Sequence, residues 1–253
     1  MISLQSFGRD LNAVVIGGSG GIGSALVAQL LMCPDVKCVT AFSRSGISVD
    51  DEMSRAPLRK LECHPIDLMS ESSIKDASDG VSEMTIDLII VATGILHSKD
   101  IRPEKSLNAL GADSFSAVMQ MNALAPMLVA KHFLPRMRKS GKSVFVALSA
   151  RVGSISDNRL GGWYSYRASK AALNMLLKTL SVESHRTHPQ LIVAGLHPGT
   201  VDTALSCPFQ RNVEPTKLFS PSQSAGYLLD VIDGLDHSNS GGVFAWNGSQ
   251  IEA

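Results

Sequence analysis

Two side chains in the second half of the chain, Tyr166 and Lys170, have a spacing suited to proton transfer. They lie four residues apart in a segment that becomes helical in pattern from about Trp163, which puts their Cβ atoms about 5–6 Å apart on one helix face. A free phenol, with a pKa near 10, is a poor acid or base at neutral pH. We expect the ammonium group to lower the pKa of Tyr166 and make it an acid/base group. The pair alone also fits a packed aromatic residue and a solvated lysine.

Two serines that precede this helix are candidates to contact a ligand bound at the end of the preceding strand. Ser149 follows the apolar run 144–148, which is typical of a buried strand, and Ser154 lies in the loop beyond it. A central strand cannot change length without reversing its side chains, and ligands of open α/β folds bind at the carboxyl ends of strands. These arguments favour Ser149, with Ser154 as the alternative.

A glycine-rich turn near the start of the chain predicts a nucleotide site. Gly17, Gly21 and Gly23 lie between the apolar run 11–16 and an amphipathic run over 24–31. The first glycine allows a tight turn, the second lets backbone N–H groups approach a pyrophosphate, and the third allows close helix packing. The alternative is a glycine turn that binds nothing.

The end of the second predicted strand, 37–42, indicates which dinucleotide is bound. A site for NAD usually has an acidic residue here for the ribose 2′-hydroxyl, whereas this chain has Ser43 and Arg44. A guanidinium suits a 2′-phosphate. We therefore expect NADP rather than NAD, the alternative being that Arg44 is a solvated loop residue.

Strand and helix patterns alternate along the rest of the chain. Further strands are predicted at 58–66, 87–92, 191–196 and 243–246, and helices at 113–140 and 222–232, the first interrupted by Pro126 and Pro135. Asn122, inside that helix, is either exposed or has a polar role. Residues 204–222 are predicted to form a mobile loop or short-helix flap. This segment is the candidate lid. The alternation predicts a parallel sheet with helices on both faces, in a single domain over 1–253.

Composition excludes several classes of function. Lys plus Arg and Asp plus Glu both count 23, so the net charge is +0, which disfavours nucleic acid and anionic membranes as partners. No uncharged apolar segment reaches the roughly 18 residues of a membrane span, and no signal peptide is evident, so we expect a cytoplasmic protein. The four cysteines form no CxxC pair, and we expect no metal site.

Taken together, the glycine turn, Asn122, Ser149, Tyr166 and Lys170 resemble the short-chain dehydrogenase/reductase family over essentially the whole chain. The run from 149 to 174 is similar to the C-factor-like and sniffer-like branch of carbonyl reductases. The resemblance implies a Rossmann-type, doubly wound α/β fold with a seven-stranded parallel sheet in the order 3-2-1-4-5-6-7.

The resemblance also implies a role for each site residue. Tyr166 would be the general acid/base, Lys170 would lower its pKa and hold the nicotinamide ribose, Ser149 would orient the substrate carbonyl, and Asn122 would support a water in a proton relay. The implied cofactor-binding residues are Gly17, Ser19, Gly21, Ile22, Gly23, Ser43, Arg44, Asp67, Leu68, Thr93, Gly94, Tyr166, Lys170, Pro198, Gly199, Val201 and Thr203.

The expected function is that of an NADP-dependent oxidoreductase acting on a small ketone, aldehyde or secondary alcohol. The alternative is a nucleotide-binding signalling or scaffold protein of the C-factor type with little or no turnover. Apolar residues on more than one face of the 113–140 and 163–185 helices predict a homo-oligomer, dimer or tetramer, since the family commonly pairs these helices across a two-fold axis.

Overall fold

Short apolar runs form the central strands of the sheet, as expected for strands covered on both faces. The structure, a computed structural model, describes residues 2–47, 56–81 and 83–252. In this part of the chain the strands are β1 (Leu11–Ile16), β2 (Val36–Ser43), β3 (Leu61–Pro65), β4 (Leu88–Val91), β5 (Ser143–Leu148), β6 (Leu191–His197), β7 (Thr200–Val201), β8 (Leu218–Phe219) and β9 (Val243–Ala245). The α-helices are α1 (Gly21–Met32), α2 (Glu71–Asp79), α3 (Ala112–Met119), α4 (Ala125–Phe133), α5 (Tyr164–Ser184) and α6 (Pro221–Gly234).

Seven of the strands pair in parallel in the order β3-β2-β1-β4-β5-β6-β9, which confirms the predicted sheet order with β9 as its seventh strand. One core lies between the sheet and α1 and α6, and a second between the sheet and α2, α4 and α5. Along β5, Val144 and Val146 belong to the first core, and Phe145 and Ala147 to the second. Because side chains alternate along a strand, Ser149 continues the row that faces α5.

The predicted 113–140 helix is divided into two. A π-helical turn over Gln120–Leu124 separates α3 from α4, and a short 3-10 turn, Leu134–Arg136, follows α4. Pro126 lies in the first turn of α4, directly after the π-helical turn. The prediction of breaks near the two prolines agrees with this arrangement. Asn122, on the π-helical turn, is buried in the protein interior.

Other boundaries differ from the sequence prediction by a few residues. Strand β3 begins at Leu61 because residues 58–60 form a 3-10 turn. The candidate lid contains 3-10 turns at Cys207–Asn212 and Pro215–Lys217. Its strand β8 pairs with β7 in a small second sheet that the sequence pattern did not predict, and its last two residues belong to α6. No helix within the described ranges has the length and apolar character needed to cross a membrane.

Candidate active site

The side chains of Tyr166 and Lys170 meet on the first two turns of α5. The Lys170 Nζ atom donates a hydrogen bond to the Leu148 carbonyl oxygen at 2.7 Å and lies 5.8 Å from the centre of the Tyr166 ring. Lys170 is only 3% exposed, so the carboxyl end of β5 holds the cation beside the phenol. The spacing read from the sequence therefore brings the two groups together.

Desolvation, rather than the neighbouring cation, dominates the proton affinity of both groups. Burial raises the pKa of Tyr166 to about 12 and lowers the pKa of Lys170 to about 8, because removal from water disfavours each charged form. The net shift of Tyr166 is therefore opposite in direction to the lowered pKa that the sequence predicted. At neutral pH Tyr166 is a protonated phenol beside a mostly charged ammonium group, which is the state required of a proton donor.

Asn122 joins α5 to the loop that follows β4. Its side-chain oxygen accepts a hydrogen bond from Ile95 N at 2.7 Å, and its amide group donates to Ile95 O at 2.8 Å and to Ser169 Oγ at 3.0 Å. The Ser169 hydroxyl donates in turn to the Tyr166 carbonyl oxygen at 2.8 Å. Asn122 thus has the polar role expected of a buried mid-helix asparagine, and its part in a water relay stays a prediction.

Ser149 lies at the end of β5 but has a partner of its own. Its hydroxyl donates to Asn174 Oδ1 at 2.5 Å, and it is only 3% exposed. Asn174 lies two helical turns beyond Tyr166, about 12 Å further along the axis. The described contacts therefore place Ser149 with Asn174 and do not join it to Tyr166.

The alternative serine, Ser154, lies in a loop packed along α5. Its hydroxyl oxygen is 3.2 Å from Ser156 Oγ and accepts a hydrogen bond from Asp157 N at 3.2 Å. At the neighbouring Gly153, a Cβ atom would lie only 2.8 Å from the backbone carbon of Lys170. Glycine at position 153 therefore lets the loop approach the helix at the level of the lysine.

The glycine turn has the close backbone approaches that the sequence predicted. Gly17 has a positive φ of 91°, and a Cβ atom at this position would lie 2.5 Å from Thr93 Cγ2. A Cβ atom at Gly23 would collide with the carbonyl oxygen of Gly17. Helix α1 begins after Gly20 without a side-chain cap, so its first N–H groups face the turn, as an anion site requires. These features fit a bound pyrophosphate.

Three segments that are distant in sequence meet beside this turn. A Cβ atom at Gly21 would lie 2.7 Å from Thr203 Cγ2, and one at Gly94 would lie 3.4 Å from both Asn122 Oδ1 and Lys170 Nζ. The buried hydroxyl of Thr93 has no hydrogen-bond partner in the described protein. A polar group left unpaired beside this turn fits a ligand that completes its hydrogen bonding.

The segment after β6 supplies another wall. Gly199 has a φ of 79°, and the Pro198 carbonyl oxygen accepts a hydrogen bond from Ser224 Oγ at 2.9 Å. Val201 is buried and belongs to β7. This turn directs Thr203 back to the start of α1, so the structure joins the two predicted cofactor segments.

The remaining predicted cofactor residues lie around the carboxyl ends of β2 and β3 or on the glycine turn. Arg44 is exposed immediately after β2, whereas Ser43 is buried and donates to Gly46 O at 2.7 Å. Asp67 is exposed after β3 and accepts from Met69 N at 3.0 Å. The others are exposed Ser19, partly buried Ile22 and buried Leu68.

An aromatic cluster beside Tyr166 was not anticipated from the sequence. The Trp163 ring packs edge-on against Tyr166, with centroids 6.1 Å apart, and against Phe209, with centroids 5.0 Å apart. Phe209 also contacts the ring of His97, whose Nε2 donates to Ala204 O at 3.2 Å. The cluster joins residues from three separate loops. In the sequence near Trp163, the only sign of it was the pair of glycines that precede this residue.

A second unanticipated group is His197 at the end of β6. Its Nδ1 atom is buried without a hydrogen-bond partner in the described protein. Burial, reinforced by the positive charge of Arg151, lowers the pKa of His197 to about 4. The imidazole is therefore neutral at physiological pH and adds no charge to the site.

Comparison with known proteins identifies the family. The family model described as short chain dehydrogenase matches residues 11–214. This chain belongs to the short-chain dehydrogenase family. A solved structure of an NADPH-bound carbonyl reductase from chicken fatty liver is 26% identical to this chain, with a TM-score of 0.82, and the match covers 97% of this chain and 95% of the other. The matched family consists of oxidoreductases with a Rossmann-type fold.

Two further similarities agree with the branch suggested by the sequence. The chain is 35% identical over 132 residues to C-signal of Myxococcus xanthus, a match that covers 52% of this chain and 74% of C-signal. The carbonyl reductase Sniffer of D. melanogaster has the same fold, with a TM-score of 0.81 at 21% identity over 97% of this chain and 100% of Sniffer. The family resemblance is thereby confirmed, the match to C-signal agrees with the C-factor-like branch, and the match to Sniffer shows a shared fold.

Proposed function

We propose that this protein is an NADPH-dependent reductase of small carbonyl compounds. The observation that carries the proposal is the Tyr166 ring beside the buried ammonium group of Lys170, next to the glycine turn of Gly17, Gly21 and Gly23. A spectrophotometric screen of NADPH oxidation over a panel of ketones and aldehydes tests it. Turnover of at least one carbonyl, lost in Tyr166→Phe, is the expected result, and no turnover across the panel would contradict it.

Several residues of the candidate site have separate roles in the proposed reduction. When bound, the cofactor supplies the hydride for the carbonyl carbon. The Tyr166 hydroxyl gives its proton to the carbonyl oxygen, and the charge of Lys170 offsets the negative charge that remains on the phenol oxygen. Trp163 and Phe209 form an apolar wall beside Tyr166, which suits an uncharged substrate. Segment 204–222 carries Phe209, and we propose that it opens as a lid.

Cofactor choice depends on Arg44 in this proposal. Its exposed guanidinium follows β2 directly, where a charge-assisted hydrogen bond to a 2′-phosphate is worth about 1.5–3 kcal/mol. We expect Arg44→Ala to weaken NADPH binding by about ten- to a hundredfold and to leave NADH binding nearly unchanged. Fluorescence titration of both cofactors measures this, and Arg59→Ala, which removes another exposed arginine, is the control. Equal wild-type affinities for NADPH and NADH would contradict the assignment.

Ser149 is proposed to donate to the substrate oxygen. For this its hydroxyl has to exchange Asn174 Oδ1 for the substrate. We expect Ser149→Ala to reduce turnover roughly ten- to a thousandfold, as loss of an oxyanion donor does, with NADPH affinity near that of wild type. Steady-state kinetics on an established substrate measures it. Near-normal turnover in Ser149→Ala together with its loss in Ser154→Ala would assign the role to Ser154 instead.

A second candidate function rests on the similarity to C-signal. A nucleotide-binding signalling or scaffold protein needs the glycine turn but has no use for a proton donor. The proximity of Tyr166 and Lys170 to each other and to that turn favours an enzyme over a signalling or scaffold protein. Tight NADPH binding without turnover of any carbonyl in the screen would favour the signalling protein.

We also propose that the protein forms a homo-oligomer through α5. Met175 and Val182 are 66% and 62% exposed and, seven residues apart, lie on one face of the helix. Leu124 on the neighbouring π-helical turn is 48% exposed. Light scattering is expected to give the mass of a dimer or tetramer at micromolar concentration, and Met175→Glu is expected to lower it. A monomeric wild-type mass would refute the proposal.

A further inference from the structure

Helix α5, which carries Tyr166, begins without a capping side chain from its own sequence. The preceding residue, Trp163, has a left-handed backbone with φ 50°, and its side chain makes no capping hydrogen bond. The cap comes instead from Glu104, in the loop between β4 and α3. A Glu104 carboxylate oxygen accepts from Ser165 N at 3.2 Å, and its other oxygen accepts from the Ser165 hydroxyl. A distant loop thus satisfies the first turn of the helix.

The main chain of Glu104 binds the same turn. The Trp163 N–H donates to the Glu104 carbonyl oxygen at 2.5 Å. At Gly162, which has a φ of 65°, a Cβ atom would lie 3.3 Å from that same oxygen. Side chain and backbone of one residue therefore fix the conformation from Gly162 to Ser165, including the left-handed backbone of Trp163.

The Glu104 side chain is an unusual choice for a purely structural contact. It is only 3% exposed, and within the described residues no Lys, Arg or His forms an ion pair with it. Burying a carboxylate without a cation is costly. Its compensation comes from two hydrogen bonds and the positive end of the α5 dipole. The two hydrogen bonds and the N-terminal end of α5 lie within one helical turn of Tyr166.

We propose that Glu104 is a positioning residue for the carbonyl reduction proposed above. It acts through Ser165 and Trp163, and it sets the direction of the Tyr166 hydroxyl and of the Trp163 wall against which the substrate lies. Misplacement of a reacting group by about 1 Å can cost a hundredfold in rate, so an anchor at the start of α5 has a direct effect on turnover.

The kinetic experiment compares Glu104→Ala, Glu104→Gln and Ser165→Ala with wild type. Glutamine keeps the length of the side chain and one hydrogen-bond acceptor, so it restores part of the anchor. We expect kcat to fall about tenfold to a hundredfold in Glu104→Ala and less in Glu104→Gln and Ser165→Ala, with the dissociation constant of NADPH within about twofold of wild type. The control is Glu183→Gln, which removes an exposed carboxylate near the other end of α5.

A second readout makes the proposal independent of turnover. The chain has two tryptophans, so in a Trp246→Phe background the fluorescence reports Trp163 alone. We expect acrylamide quenching of Trp163 to increase in Glu104→Ala, and to increase less in Glu104→Gln. Folded variants with unchanged quenching and kcat within twofold of wild type would overturn the proposal. If Glu104→Ala does not fold, Glu104→Gln and Ser165→Ala decide by the same criteria. A wild type without turnover would refute the proposed reduction, while quenching would still test the anchor.

Discussion

Replacing Tyr166 with phenylalanine is expected to reduce the turnover of carbonyl substrates by about 10²- to 10⁴-fold, the usual contribution of a positioned general acid. Phenylalanine keeps the ring that packs against Trp163 and removes only the hydroxyl. The loss should therefore appear in kcat, with the affinity for NADPH and the melting temperature close to those of wild type. Steady-state kinetics with a substrate found in the screen measures this.

The neighbouring Tyr164 provides a matched control for that experiment. It is 39% exposed and lies on the same first turn of α5, so Tyr164→Phe makes the same chemical change away from the proposed proton transfer. We expect its turnover to stay within about twofold of wild type. A Tyr166→Phe variant that keeps a third or more of the wild-type turnover would show that the proton comes from another group.

The second large effect is expected from Lys170, as a pH dependence. Its pKa is lowered to about 8, so the cation is mostly present at pH 7 and mostly lost at pH 9. If its charge stabilises the developing phenolate of Tyr166, kcat/KM for reduction is level below about pH 8 and falls about tenfold per pH unit above it. In Lys170→Met we expect a rate lower by about 10²-fold at pH 7 and no such fall near pH 8.

The expected fall between pH 8 and pH 10 can be separated from unfolding. The folded-state pKa of Lys170, about 8, lies below its ordinary value of 10.5, so over this range the unfolded chain binds more protons and this group's contribution to the free energy of unfolding rises. Tyr166, with a pKa raised from 10.0 to about 12, lowers stability only above about pH 10. Lys178→Met, an exposed lysine two turns further along α5, is the control. Retention of the alkaline fall in Lys170→Met would assign it to another group.

Much of the fold could be predicted because its signals are local. The apolar run at 144–148 predicts β5 within one residue of its observed bounds, since a strand covered on both faces has to be apolar throughout. The short pairing of β7 with β8 could not be predicted, because two residues per strand leave no periodicity to detect. The π-helical turn at Asn122 was also missed, since its effect is to turn one polar side chain inward without changing the helical pattern.

The same distinction between local and long-range signals applies to the candidate site. The helical offset between Tyr166 and Lys170 predicts their proximity directly. The pairing of Ser149 with Asn174 needed the register between β5 and α5, which is set by packing of the second core. Glu104 was missed altogether because it lies 61 residues before Ser165, the residue it caps, and so leaves no short-range motif, in contrast to the Ser220 and Gln223 capping box of α6.

By itself the sequence determined the order of strands and helices, the glycine turn of the nucleotide cradle and the Tyr166–Lys170 pair, because each depends on backbone freedom or periodicity within a few residues. Only the tertiary structure decided that Tyr166 stays protonated and that Glu104 anchors α5. The physical reason is that desolvation and long-range hydrogen bonds depend on what the rest of the chain packs around a group. A lysine one turn away predicts a lower pKa for Tyr166, and burial of both groups reverses that direction.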